Sequence, residues 1–238
     1  MSKQIQDSFL KEEIISREEL KECLHNSRLL HILSPEQMNE LLIAQIGRLC
    51  RYARGEILVS EGEDISNLSI ILRGKVTMER LFLDGSRSLV DVLHEKDLMG
   101  IEGLGNTRFS SYYYYVAQSD VITFEIPCRF FRTLSEKNPD MQVLLLNQVL
   151  GVLAHDNSRY REKLDVLSAA NLRTRIQTFL YYQEKRFGSR DFSIAYTREE
   201  MASYLCVNRS ALSRELSRMQ DEGLLEMNGN HFRLPEWQ

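Results

Sequence analysis

The strongest constraint on this chain is a repeat running from residue 143 to residue 167. Val143, Leu146, Leu150, Leu153, Asn157, Tyr160, Leu164 and Leu167 follow one another at intervals of three and four residues. On an α-helix this spacing sets them along one face, in the heptad pattern of a coiled-coil seam. Asn157 falls at an a position, where a lone Asn fixes register and favours two strands at some cost in stability. Leu144, Leu145, Val149 and Val152 lie off the seam. The helix is therefore apolar on two sides. An ordinary helix packed on its own domain would cover only one of them. The expectation is a homodimer seam on one side and the chain's own preceding domain on the other. Asn138 can cap the start ahead of Pro139, and a helix from Pro139 to Leu164 would be roughly 40 Å long.

What precedes the seam has a different texture. Ile5, Phe9, Ile14, Leu20 and Leu24 punctuate a polar segment, 1–28, which reads as one or two short helices forming an N-terminal extension. Ser34 and Pro35 then supply an N-cap and a first helical residue for a helix through Met38, Leu41, Leu42 and Ile46, fading near Gly47. From Gly55 onward, short apolar runs alternate with Gly and Asp turns: Ile57–Val59, Leu68–Leu72, Val76–Phe82, Leu89–Leu93, Tyr112–Val116 and Val121–Ile126. Runs this short, closed by turn residues, are strands of an antiparallel sandwich or barrel. A β-roll of about eight strands over 50–127 is expected, inside a domain spanning 29–137.

Beyond the helix of 138–167 a third domain, 168–238, is expected. Its first helix runs from Ala169 to about Phe187 and closes at Gly188; Phe192–Tyr196 is a short strand. Thr197 stands three residues before Glu200, the spacing of a capping box, and opens a helix whose inner face is Met201, Ala202 and Leu205. Cys206-Val207-Asn208 forms a turn, and Asn208 caps a second helix that buries Leu212, Leu216 and Met219 and ends at Gly223. Such a tight pair is a helix-turn-helix, whose second helix enters the major groove of double-stranded DNA. That helix presents Arg209, Ser210, Ser213, Arg214, Ser217 and Arg218, with Glu215 as an acidic exception. Arg reads guanine O6 and N7 bidentately, while Ser hydroxyls and the helix N-terminus suit phosphates. Asn228-Gly229 between two short alternating runs marks a hairpin, and a hairpin behind a helix-turn-helix is a wing. Charge leans the same way: residues 168–238 carry 10 Lys and Arg against 9 Asp and Glu, the first 167 carry 20 against 25.

In this order the elements resemble the Crp/Fnr family of bacterial regulators over about residues 29–236. Gly55-Glu56-Ile57-Leu58-Val59-Ser60-Glu61-Gly62-Glu63, with Leu68–Leu72 and Arg73-Gly74-Lys75-Val76, is similar to the opening of that family's cyclic-nucleotide-type β-roll. Val207-Asn208-Arg209-Ser210-Ala211-Leu212-Ser213-Arg214-Glu215-Leu216 is similar to its recognition helix. The resemblance implies an α+β chain: an antiparallel, jelly-roll-like sensor, a long dimerisation helix and a C-terminal winged helix-turn-helix. It implies base-reading roles for Arg209, Ser210, Ser213 and Arg214, supported by Thr197, Asn208 and Arg218, on a palindromic operator. RNA polymerase is implied as a further partner. An effector in the β-roll would act by rearranging the dimer helices and a hinge near Ser168-Ala169-Ala170.

The sequence departs from the family in its sensor. Members that bind cyclic AMP carry a Gly-Glu pair and, eleven residues after the Gly, an Arg beside a Ser or Thr. Counted from Gly100, the Glu position holds Ile101, the Arg position Ser111 and the small hydroxyl position Tyr112. A cyclic phosphate would enter a partly buried site without its cation, so cyclic AMP is not expected; Glu102 and Arg108 are the nearby charges. The iron-sulfur branch needs clustered N-terminal cysteines, and only Cys23 is near. Haem would need a ligand such as His94 or His31, each of which reads more simply as a surface or packed residue. Candidate effector positions are Gly100, Ile101, Glu102, Ser111, Tyr112 and Tyr114, the tyrosines being part of a run, 112–115, that could wall a pocket for a small organic effector. Cys206 also departs, standing where the family's turn has Gly.

Enzymatic function is not expected. The chain has no GxSxG, HExxH or P-loop, and Gly103-Leu104-Gly105 is not followed by the third Gly of a dinucleotide motif, Arg108 standing there. Cys23, Cys50, Cys128 and Cys206 lie too far apart for a zinc knuckle or a CxxC pair. No apolar run opens the chain as a signal peptide or reaches membrane-spanning length, so a cytoplasmic protein is expected. The alternative reading is a small-molecule sensor that regulates a protein partner and carries a vestigial helix-turn-helix.

Overall fold

The apolar runs form elements close to those the pattern predicts, and the polar residues between them cap and turn the chain. The computed structural model describes residues 15–105 and 109–236. Ile5, Phe9, Ile14 and Arg108 lie outside the described residues. In chain order the elements are α1 (Arg17–His25), α2 (Pro35–Ile43), β1 (Arg48–Tyr52), β2 (Ile57–Val59), β3 (Asn67–Arg73), β4 (Val76–Leu81), β5 (Arg87–Leu93) and β6 (Leu98–Met99). There follow β7 (Tyr114–Ala117), β8 (Val121–Pro127), α3 (Cys128–Thr133), α4 (Pro139–Ser168), α5 (Leu172–Phe187), β9 (Asp191–Ser193), α6 (Arg198–Tyr204), α7 (Arg209–Asp221), β10 (Glu226–Asn228) and β11 (His231–Arg233). The chain divides into two compact units, Met1–Leu153 and Ala154–Gln238, each described here by itself.

In the first unit two four-stranded antiparallel sheets face each other, ordered β1-β8-β3-β6 and β2-β7-β4-β5. Period-two alternation along β8 sends Ile122, Phe124 and Ile126 to one side and Val121, Thr123 and Glu125 to the other. The first three join a core with Leu20 and Leu24 of α1, Met38 and Leu41 of α2, and Met141, Leu145, Val149 and Val152 of α4. Val121 joins the cluster between the sheets, with Ile71, Met78, Met99 and Tyr115. α1 is capped by Ser16, and α2 by Ser34 through a full capping box with Gln37. Asn138 caps α4, its Oδ1 accepting from the Met141 amide at 3.1 Å.

α2 leads into β1 through a close approach. A Cβ built on Gly47 would lie 2.2 Å from Cζ of Phe124, a ring buried in the core. The ring has no room to retreat in a close-packed interior. Gly47→Ala should therefore lower stability by about 1–3 kcal/mol, read as a fall in the urea midpoint with an unchanged slope.

The 30 residues of α4 extend about 45 Å at 1.5 Å per residue. Leu145, Val149 and Val152 are buried against the first unit, as the off-seam positions predict, joined by Met141; Leu144 is only half-buried. The seam residues Val143, Leu146, Leu150, Leu153, Tyr160 and Leu164 are all exposed, Leu150 and Leu164 by 62% and 68%. The last turns of α4 pack within the second unit: Val166 is buried there, Glu162 bonds Arg186, and Asp165 accepts from the Tyr182 hydroxyl.

The second unit begins its next helix later than the pattern suggests. α5 starts at Leu172, because Asn171 caps it by accepting from the Thr174 amide at 2.9 Å, and it ends at Gly188 with φ of 63°. The wing contains a third strand. β11 pairs with β10 and also with β9, in which Phe192 lies opposite Phe232. Asn228 pairs with His231, so the two turn residues are Gly229 and Asn230 rather than Asn228 and Gly229. Gly229 takes the positive φ, 59°, which the first position of a Gly-X hairpin turn demands.

Candidate nucleic-acid interface

α6 and α7 are positioned by local chemistry. Thr197 and Glu200 form the expected reciprocal box, with the Glu200 amide donating to Thr197 Oγ1 at 3.2 Å and the Thr197 amide to Glu200 Oε2 at 2.8 Å. Asn208 Oδ1 accepts from the Ala211 amide at 2.7 Å and from the Ser210 hydroxyl at 2.8 Å. Thr197 and Asn208 are thus occupied as caps. Leu212, Leu216 and Met219 seat α7 on a core with Met201, Ala202, Leu205, Phe179 and Phe232. That packing turns Arg209, Ser210, Arg214, Ser217 and Arg218 outward, with Ser213 half-buried. An exposed helix face with two guanidinium groups behind its capped N-terminus is suited to a groove lined with phosphates and base acceptors.

Between the helices Cys206 has φ of 55°, the left-handed conformation that favours Gly. The departure at this position therefore carries a strain. Cys206→Gly should raise stability by about 0.5–1 kcal/mol, the relieved strain exceeding the added chain entropy, while Cys206→Ala should give no gain; paired denaturant titrations check this.

The acidic exception on α7 is not outward-facing. Glu215 is largely buried, and its Oε1 accepts from Nε of Arg173 on α5 at 2.7 Å. The same Arg173 grips Glu222 through Nη1 and Nη2 at 2.6 and 2.9 Å. One cation thus clamps the recognition helix at two points two turns apart, and Arg218 brings a second to Glu215, its Nη1 lying 3.7 Å from Oε2. The Arg173 guanidinium holds the Glu222 carboxyl below its ordinary value. A lowered carboxylate pKa gives stabilisation present above the unfolded value and lost as pH falls through the folded one. Arg175 makes a second tie, from Nε to the Ala169 carbonyl at 3.2 Å and from Nη1 to the Leu205 carbonyl at 3.3 Å. It links the segment after α4 to the helix-turn-helix turn. Arg198 makes a third. Its Nη2 donates to the Gly229 carbonyl at 2.8 Å and it lies over the Phe232 ring, fixing the wing turn to the start of α6. Burial, and then the nearby Arg209, lower the Arg198 pKa. These three arginines escaped the sequence reading because the contact by which each holds the helix-turn-helix or its wing spans 30 or more residues.

On the sensor side, Gly100 is left-handed, with φ of 83°, and opens a short 3-10 turn, Ile101–Leu104. A Cβ on Gly100 would meet the Asn67 carbonyl oxygen at 2.5 Å, and one on Gly103 the Ile65 carbonyl oxygen at 2.5 Å. The turn is packed directly on the 65–67 segment. Ser111 is buried, and its hydroxyl donates to the Tyr113 carbonyl at 2.8 Å and accepts from the Tyr113 amide at 3.1 Å. The tyrosine run alternates one residue out of step with the expected wall. β7 begins at Tyr114, so Tyr112 precedes the strand, exposed and edge-on to Phe109. Tyr115 and Tyr113 pack with the cluster between the sheets; Tyr114 is half-buried. Inner rings are therefore Tyr113 and Tyr115, not Tyr112 and Tyr114. Further round the roll, Glu125 is buried with Arg48 Nη2 at 2.9 Å and the Tyr52 hydroxyl at 2.8 Å. Burial, then Glu125, push the neighbouring Cys50 thiol up to about 12.

A two-sheet sensor-type roll, a long amphipathic helix and a winged helix-turn-helix together define a DNA-binding regulator. Comparison with known proteins gives the same answer. Residues 49–138 match the cyclic nucleotide-binding domain model and residues 174–238 the Crp-like helix-turn-helix domain model. The chain belongs to the Crp/Fnr family of transcription regulators. It is 25% identical over 184 residues to the fumarate and nitrate reduction regulatory protein of Escherichia coli, covering 75% of this chain and 71% of that one. It is 23% identical over 207 residues to the anaerobic regulatory protein of Pasteurella multocida, covering 83% and 74%. Among solved structures, the c-di-GMP-responsive global regulator CLP of Xanthomonas campestris superposes with a TM-score of 0.64 at 18% identity, covering 84% of this chain and 98% of that one. FixK2 of Bradyrhizobium japonicum gives 0.61 at 18%, covering 80% and 93%. These relatives are regulators, in agreement with the expectation that the chain is not an enzyme. Among the described residues no helix is long and apolar enough to cross a membrane.

Proposed function

We propose that the chain acts as a homodimer on a palindromic operator, under control of an effector held in the β-roll. The observation that carries this is the exposed seam of α4: a row of large apolar side chains, broken by Asn157, on a face other than the one already buried. A second copy offers the same row, and a two-fold dimer would present two recognition helices to successive major grooves, about 34–36 Å apart. Arg209 and Arg214 read base edges, Ser210 and Ser213 assist, and Arg218 contacts the backbone. The work is done on DNA in the cytoplasm and ends in contact with RNA polymerase.

The effector is a small organic molecule lacking a cyclic phosphate. Supporting this, the position an Arg would need is Ser111, buried and bonded to its own turn. Neither haem nor an iron-sulfur cluster is part of the proposal. The effector would act by its different affinity for two arrangements of the dimer. Selection of bound sequences from random duplexes at fixed moderate salt tests the reading. A consensus palindrome with half-sites about ten base pairs apart supports it; retained ligand binding with no consensus under any effector would favour the sensor with a vestigial helix-turn-helix.

A further inference from the structure

We infer that Arg173, which lies on α5 outside the helix-turn-helix pair, is a positioning residue for base reading: it fixes the roll of α7 and thereby where Arg214 points. The inference rests on the proposed reading of bases by Arg209 and Arg214 and adds what aims them. Arg173 breaks a local rule. It sits in the first turn of α5, where the helix dipole disfavours a cation, so α5 gains nothing from the charge. A residue that contradicts its own element marks a functional position when the compensating partner lies elsewhere. Here the partners are two carboxylates of the recognition helix. Glu215 stands in the middle of α7 and Glu222 is its C-cap. Arg173 Nε donates to Glu215 Oε1 at 2.7 Å, while Nη1 and Nη2 donate to Glu222 at 2.6 and 2.9 Å.

Packing alone sets the angle of α7 loosely. Its buried residues are Leu212, Leu216 and Met219, which fall within about 60° of the helix circumference, narrower than the stripe of about 100° that usually seats a helix. Apolar contact is non-directional and resists withdrawal of the helix more than its rotation. Hydrogen bonds to charged groups are directional. Glu215 borders the stripe one turn before Met219, so its bond to Arg173 opposes roll where packing is weakest. At the helix surface, about 5–6 Å from the axis, a roll of about 10–20° moves a side chain by about 1–2 Å. A bidentate pair does not survive that displacement. Arg214 adjoins Glu215 and follows any such roll. Arg209 is steadier, being the first residue of α7, behind the Asn208 cap and the Leu205 carbonyl held by Arg175.

The test titrates the full chain against three kinds of duplex at one salt concentration: the operator recovered from random duplexes, copies of it with single base pairs exchanged, and a scrambled sequence. Arg173→Gln should bind the operator about tenfold more weakly, with discrimination lost chiefly at the base pair that Arg214→Ala also releases. Binding to scrambled duplex, and its dependence on salt, should match the parent. Glu222→Gln, a milder change at an exposed carboxylate, should show the same pattern at smaller size. Glu215→Gln added to Arg173→Gln should cost no further affinity, because both changes remove one and the same bond. An equal fall on operator and scrambled duplex overturns the positioning role, since unfolding or a lost phosphate contact weakens both alike. Unchanged operator affinity overturns it too, as does equal loss of discrimination at the base pair read by Arg209. A parent that does not distinguish operator from scrambled duplex overturns the base reading itself.

Discussion

Replacing Arg209 and Arg214 together by Ala abolishes operator recognition while leaving the fold untouched. Both side chains are exposed, Arg209 at the start of α7 and Arg214 near its middle, and among the described residues no buried partner is orphaned when they go. Each bidentate Arg-guanine contact discriminates by roughly 1–3 kcal/mol, and a dimer makes each contact in both half-sites. Operator affinity should fall by about a thousandfold or more, approaching the binding of unrelated duplex. The free energy of unfolding from urea titration should stay within about 0.5 kcal/mol of the parent, as for other surface changes. Titration of parent and variant against operator and scrambled duplex at one salt concentration separates loss of reading from loss of charge, because lost phosphate contacts weaken both duplexes alike.

Placing charge on the seam has the second large effect. Leu150→Glu with Leu164→Glu puts two carboxylates per copy where the partner's leucines would pack. Each large apolar side chain contributes about 1.5–3 kcal/mol when fully buried, and the loss is counted in both copies. The variant should sediment as a monomer at concentrations where the parent is dimeric. Its fold should persist, since Leu145, Val149 and Val152 hold α4 from the opposite side. Operator affinity should fall steeply, while a single half-site is bound as weakly as by the parent. If the variant remained dimeric, the seam would not be the contact.

Much of this was legible in the sequence because it is local. A Ser, Thr or Asn placed ahead of its helix announced α2, α4, α6 and α7, and in each the cap bond is formed. The heptad row was legible because a helix of 30 residues repeats one spacing many times over. What stayed hidden depends on register or on distance. Four adjacent tyrosines alternate without saying which two face inward, and one residue of slip exchanges the sets. The same single-residue ambiguity moved the wing turn to Gly229-Asn230. β6 has two residues, too few to show a period. The clamp from Arg173 to Glu215 and Glu222 spans 42 and 49 residues; read along the chain, Glu215 was an unexplained acid on a basic helix, whereas α5 supplies its counter-charge.

The clamps also say how the reading head is kept rigid. Arg173, Arg175 and Arg198 each fasten a different part of the helix-turn-helix, namely the recognition helix, its turn and the wing. Base readout needs this stiffness, since a bidentate contact is lost with small displacements of the helix that carries it.

The most direct measurement compares the selected operator with versions in which the distance between half-sites is lengthened or shortened by five base pairs. Half a helical turn moves one half-site to the opposite face of the duplex, so a dimer with fixed recognition helices can engage only one of the two. The account predicts that affinity falls to that of an isolated half-site for both altered spacings and returns when a full turn restores the face. Equal affinity at all spacings would contradict it, because the two helix-turn-helix units would then be binding independently.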